Sequence, residues 1–181
     1  MAAARDLFAS HGFHQTSMAE LAVSAQVSVG QIYRLFKGKE EIIEALVNVD
    51  SDEWADAMAD LRARVDKGEL TIERAFERAL MHNVSAKDEA LSFDILAESF
   101  RNPAVGNRIA ALCARFRAIL RDFACIANPD LSGEALDAAE EMILACMFGL
   151  GHRSLSLPKL SAEVTARRSA QMIVAGLRAV R

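Results

Sequence analysis

The chain has 181 residues, 52% of them hydrophobic and 25% charged, with a formal charge of 21 − 25 = −4. That length suits one large domain or two small ones, with enough apolar material for a core, and the composition excludes a disordered chain. The acidic balance excludes a globally basic nucleic-acid coat protein, and three prolines and nine glycines leave little room for collagen-like or low-complexity sequence.

Ala, Leu, Glu and Arg dominate, which favours helices, and no stretch shows the period-2 alternation of a strand. The expected fold class is all-α. The longest nearly uninterrupted apolar run, residues 142–151, is about half of the ~20 residues that a membrane-spanning helix needs. The opening Met1-Ala2-Ala3-Ala4-Arg5-Asp6 carries no secretory pattern. Cys113, Cys125 and Cys146 are widely spaced inside apolar helical patterns, which predicts free thiols in a cytoplasmic protein, with neither a disulfide framework nor a metal site.

In chain order, Ala3, Leu7 and Phe8 mark a first helix ending at Gly12. Ser17 with Glu20 forms a capping box that opens a second helix, whose inner face holds Leu21, Ala22 and Ala25. Ser28 with Gln31 forms another, opening a short helix from Val29 to Phe36. The fourth helix starts after Gly38 with Glu40 and Glu41 in its first turn, where the helix dipole favours acids. Ile42, Leu46, Val49, Trp54, Met58, Leu61 and Val65 share one broad stripe up to Lys67-Gly68. The polar residues 48–52 offer a place for a bend. Five further helices are expected over 72–87 (capped by Thr71), 89–101, 103–127 (capped by Asn102, with Pro103 first), 132–155 and 161–180. The organisation predicted is residues 1–47 and 48–181, sharing the fourth helix without a flexible linker.

Two capped short helices joined by a tight turn have the form of a helix-turn-helix. Ile32 and Phe36 fall inside, with Val27 packing the turn. Val29, Gly30, Gln31, Tyr33 and Arg34 are left outside, at the end that enters a major groove. Gly30 weakens a helix, so on an outer face it points to close approach by another backbone. Residues 28–39 hold three bases (Arg34, Lys37, Lys39) and no acid, whereas residues 1–47 hold four bases and five acids, 4 − 5 = −1. This local footprint suits phosphate contact. A solvated basic turn in an ordinary helical bundle fits periodicity and charge as well.

Leu7-Phe8 through Gly12-Phe13, Thr16-Ser17-Met18, Glu20-Leu21-Ala22, the run from Val27 to Phe36 and Lys39-Glu40-Glu41-Ile42 resemble the DNA-binding domain of the tetracycline-repressor (TetR) family, without gaps over about the first 47 residues. The resemblance implies a one-component transcriptional regulator, usually a repressor, acting as a homodimer on palindromic operator DNA. A small molecule bound in the C-terminal helical bundle would release it. It implies phosphate contacts for Ser17, Tyr33 and Lys39, close backbone approach at Ser28 and Gly30, and base proximity for Gln31 and Arg34. Gln pairs with adenine and Arg with guanine in the major groove. Ser17 and Ser28 also fit purely as caps, Tyr33 as a cover for the hydrophobic seam, and Arg34 as a phosphate ligand.

The sequence departs from the family pattern at Gln26, where a turn glycine is frequent, which predicts a left-handed non-glycine residue. Val29 and Leu35 replace frequent polar residues, favouring thymine-methyl contact or weaker binding. The chain opens inside the first helix, where relatives carry further, often basic residues, so either its start is truncated or a minor-groove arm is lacking.

Leu136, Ala139, Met142, Ile143, Cys146, Met147 and Leu150 form an apolar stripe late in the chain, and Val164, Ala170, Met172, Ile173, Gly176, Leu177 and Val180 form another. The resemblance implies a four-helix dimer interface there, for which Met142, Cys146, Leu150, Met172, Ile173 and Leu177 are the candidates. An intramolecular core fits either stripe too. Two-fold symmetry is also a physical need, since one probe covers few base pairs and a second belongs ~34–36 Å or more along the duplex. Candidates for a mostly apolar effector pocket are Trp54, Met58, Phe76, Met81, Phe93, Phe100, Phe116, Leu120 and Met147, although such residues also build ordinary cores. His82 and His152 read as isolated core or surface residues.

No nucleophile elbow, zinc-protease helix, P-loop or dinucleotide fingerprint occurs, so an enzyme is not expected and no cofactor is implied. The alternative function is a helical adaptor or ligand-binding protein whose helix-turn-helix no longer binds DNA.

Overall fold

A computed structural model describes residues 1–85 and 89–180; no strand occurs among them. The helices are α1 (Ala2–His11), α2 (Met18–Ser24), α3 (Val29–Leu35), α4 (Lys39–Asp66), α5 (Ile72–Val84), α6 (Glu89–Arg101), α7 (Pro103–Ala127), α8 (Gly133–Gly151) and α9 (Ala162–Ala179). Local chemistry sets most of the boundaries. Ser17, Ser28, Thr71 and Ser161 each accept a hydrogen bond from the third backbone N–H of their helix, satisfying donors that a helix start leaves open. Asn102 caps α7 through Oδ1, which accepts the N–H of the second helical residue, Ala104, at 3.0 Å.

Helix ends are equally local. At α2, Gln26 stands at φ 57° while Val27 N–H donates to Ala22 O and Gln26 N–H to Val23 O, the bond pair of a Schellman motif. At α4 the same pair runs from Glu69 to Arg64 and from Gly68 to Val65, with Gly68 at φ 71°. The left-handed residue expected at Gln26 is therefore present, at a position where α4 uses glycine. A side chain there carries a steric cost of about 1–2 kcal/mol, partly offset by the lower unfolded-state entropy of Gln. Gln26→Gly is expected to raise stability by roughly 0.5–1 kcal/mol in urea denaturation; no gain would mean that the turn is held in its shape by other contacts.

The described residues fall into two compact units, 1–53 with 89–112, and 54–85 with 113–180. The first encloses Phe8, Phe13, Leu21, Ala22, Ile32, Ile42, Ile43 and Leu46, together with Leu91 and Val105; Phe8 and Phe13 meet edge to face at 5.4 Å. Gly106 lets α7 lie against the end of α6, since a Cβ there would stand 2.7 Å from the Ser99 carbonyl oxygen. The second unit is built on Trp54, Met58, Phe76, Leu80, Leu120, Phe123, Ile143, Ile173 and Leu177 among others.

Several expectations shift. α5 ends at Val84, and its expected end at Lys87 lies outside the described residues. α8 ends at Gly151, four residues early; His152 leaves helical geometry at φ −116°, ψ 22° and a 3-10 turn covers Arg153–Ser156. Glycines at 149 and 151 weaken that last turn. α4 runs through residues 48–52, and Val49, placed on its buried stripe by spacing, is 42% exposed. Val27, expected to pack the turn, is 39% exposed, leaving Ile32 and the half-buried Phe36 to seat α3 on the core.

Candidate nucleic-acid interface

α2 and α3 each start with a reciprocal capping box. Ser17 Oγ accepts the Glu20 N–H at 3.2 Å, and Glu20 Oε2 accepts the Ser17 N–H at 2.7 Å and its hydroxyl at 2.8 Å. Those two bonds from Ser17, the backbone one first, hold the Glu20 carboxyl below the usual carboxylate range. Ser28 repeats the pattern: its Oγ accepts the Gln31 N–H at 3.2 Å, and Gln31 Oε1 accepts the Ser28 N–H at 2.7 Å. The Ser17 hydroxyl and the Gln31 carbonyl are thus engaged inside their own helices.

The outer side of α3 is open. Val29 is 44% exposed and Tyr33 52%, one helical turn apart on the same face. Gly30 and Arg34 form a neighbouring pair at the same spacing. Both are exposed, and a Cβ at Gly30 would meet nothing within 4 Å. Glycine at this position is thus not required by the protein's own packing, although it costs the helix about 0.5–1 kcal/mol against alanine.

Lys39 behaves differently from the expected phosphate ligand. Its ammonium donates to the Phe13 carbonyl at 2.7 Å and the His14 carbonyl at 3.1 Å, and lies 4.7 Å from the centre of the Phe13 ring. α6 holds the same turn, with Asp94 Oδ2 accepting the Phe13 N–H at 2.9 Å and buried Glu98 placing Oε2 3.6 Å from His14 Nε2. Lys39 is therefore a strut beneath the α1–α2 turn. Sequence reasoning missed Asp94 and Glu98, which lie more than eighty positions from the turn they hold. That leaves Arg34 and Lys37 as the exposed side-chain cations of residues 28–39.

In the second unit, Trp54, Met58, Phe76, Leu120 and Met147 are buried together, with Met81 and Phe116 half-buried against them; the Trp54 and Phe116 rings lie 4.0 Å apart. Phe93 and Phe100 belong to α6 of the first unit, at 42% and 91% exposure, so they are not part of this cluster. The buried face of α6 carries Leu91 and Glu98 instead. Asn83, which the sequence did not flag, donates from Nδ2 to the Met147 carbonyl at 3.3 Å while its Oδ1 is buried without a partner among the described residues.

A groove of about 400 Å³ runs between α8 and α9, lined by Met142, Cys146, Gly149, Leu150, Ser169, Met172, Ile173 and Gly176. It gathers five of the six dimer candidates. Leu177 is 1% exposed in the core instead, and Ile173 is buried at the groove floor. The three cysteines are unpaired and half-buried. Among the described residues no three His, Cys, Asp or Glu side chains converge as metal ligands, and no helix is long and apolar enough to cross a membrane.

A short, doubly capped helix pair seated on a small core, with an open outward face, defines a helix-turn-helix protein. Residues 1–46 match the family model for bacterial regulatory proteins, tetR family. The HTH-type transcriptional regulator UidR of Escherichia coli K12 is 33% identical over 105 residues, 57% of this chain and 51% of UidR, so the chain spans about half the length of that relative. The uncharacterized HTH-type transcriptional regulator YvkB of Bacillus subtilis 168 is 26% identical over 98% of this chain and 94% of its own. The fold resembles that of the Bacillus subtilis regulator FadR, solved in complex with stearoyl-CoA, at a TM-score of 0.72, 19% identity, and coverage of 97% of this chain and 96% of FadR. The tetR-family match thus spans α1 to α3 and the start of α4.

Proposed function

We propose that the protein is a homodimeric transcriptional regulator of the cytoplasm, a repressor that binds palindromic operator DNA through α3. A small, mostly apolar ligand held by the second unit releases it. Residues 1–47 act as the DNA-binding domain, and within residues 48–181 the second unit carries effector binding and dimerisation. The observation that carries this reading is the outer face of α3, where Gly30 leaves the helix bare of side chain with no packing reason inside the protein. A duplex backbone fills that space at the distance glycine allows, with Tyr33 and Lys37 on phosphates and Arg34 at a base edge. The apolar cluster around Trp54 and Phe116 supports a hydrophobic effector, as does the fold likeness to a regulator solved with an acyl-CoA. The unpartnered Asn83 carbonyl would accept a hydrogen bond from that effector.

Gly30→Ala separates this reading from the adaptor alternative. Alanine is expected to stabilise the fold by about 0.5–1 kcal/mol while weakening operator binding roughly tenfold or more, the cost of one displaced base or phosphate contact. Thermal unfolding and a gel-shift titration read the two effects. A more stable variant with unchanged DNA affinity, or a parent protein that selects no sequence from a random DNA pool, would favour the adaptor.

A further inference from the structure

Building on that DNA-binding reading, we infer that Val29 reads the 5-methyl group of a thymine in each half-site, and that Gln31 is a cap and not an adenine reader. A Gln–adenine pair uses the carboxamide oxygen and nitrogen together, accepting from N6 and donating to N7. In this chain the oxygen already accepts the Ser28 N–H at 2.7 Å, and Ser28 Oγ returns a bond to the Gln31 N–H. Turning the amide toward a base would abandon one half of the box and leave an N–H at the helix start unpaired.

Val29 occupies the first position of α3 with 44% of its surface open. The adjacent residue, Gly30, has no side chain to hold a base edge away from it. A short, β-branched group on a helix that can approach this closely touches the groove floor without a long arm. The major groove offers one projecting apolar group there, the thymine methyl; the polar base-edge atoms are donors or acceptors that valine cannot satisfy. Exposing an isopropyl group at the tip of a DNA probe is unfavourable in the free protein and is relieved by burying it against that methyl.

The test uses the full chain and the operator it selects from a random DNA pool. Each thymine is replaced in turn, symmetrically in both half-sites, by uracil, which removes the methyl and nothing else. One thymine position is expected to weaken binding by about fourfold per half-site, the value of one buried methyl group. Val29→Ala, which withdraws the two γ-methyl groups, should sharply reduce that discrimination, and Gln31→Ala should retain it while lowering thermal stability. Val29 is exposed, so its variant keeps the parent's circular dichroism. Uracil penalties that are absent, or that persist unchanged in Val29→Ala, overturn the assignment while leaving DNA binding intact. A chain that selects no operator overturns both this inference and the reading beneath it.

Discussion

Lys39→Ala is expected to destabilise the first unit by about 2–3 kcal/mol and to leave the salt dependence of operator binding unchanged. The ammonium makes two hydrogen bonds, to the carbonyls of Phe13 and His14, and charged donors contribute roughly 1.5–3 kcal/mol each when well sheltered. These bonds are half-buried or exposed, so their sum belongs at the lower end of that range. The ring contact with Phe13 adds ~0.5–1 kcal/mol. A lysine on a phosphate behaves otherwise: its loss spares folding and lowers the slope of log affinity against log salt by about one. Urea denaturation and gel shifts at several salt concentrations distinguish the two. A variant as stable as its parent, with a shallower slope, would restore the phosphate role that family resemblance implies for this position. With the strut gone, the turn keeps its Thr16–Gly12 hydrogen bonds and its α6 contacts through Asp94 and Glu98, so part of any affinity loss reflects a loosened α2–α3 platform. Raising the concentration of a stabilising osmolyte should then recover affinity, because the defect is in folding and not in contact.

What could be read from the sequence was what is decided within a turn or two of helix. The capping boxes at Ser17 and Ser28, the Pro103 start and the left-handed Gln26 each depend on neighbours within about five positions, so residue type and spacing contain the whole cause. The clasp on the α1–α2 turn does not have this property. Lys39, Asp94 and Glu98 are ordinary charged residues on helix surfaces until tertiary folding sets them beside Phe13 and His14. The grouping of residues 89–112 with the N-terminal helices is invisible for the same reason. Phase is the other source of misreading. Over the 28 residues of α4 a broad apolar stripe spans more than one facing direction, so Val49 matched the spacing and still emerged at the surface. α8 is apolar around so much of its circumference that periodicity alone could not separate its core side, with Ile143, from its groove side, with Met142.

Met172→Asp is expected to convert a dimer into a monomer and to lower operator affinity by roughly 10²–10⁴ while leaving the folded protomer intact. Met172 is 68% exposed and Met142 44%, on either side of the α8–α9 groove, an apolar surface of the kind that marks an interaction site. In a two-fold interface one substitution acts twice, because the same patch faces itself. Two desolvated carboxylates without partners cost several kcal/mol each, enough to weaken a micromolar or tighter dimer beyond detection. The protomer itself should tolerate the change within about 0.5 kcal/mol, since the side chain leaves solvent only on association. Operator affinity falls because the second α3 no longer benefits from the effective concentration, of order millimolar, that tethering confers. Affinity for an isolated half-site, being a property of one α3, should not move. Sedimentation at micromolar concentration and paired titrations on full and half operators read all three quantities. A parent that sediments as a monomer, or a variant that remains dimeric with full operator affinity, would place the dimer contact elsewhere and leave the α8–α9 groove without this role.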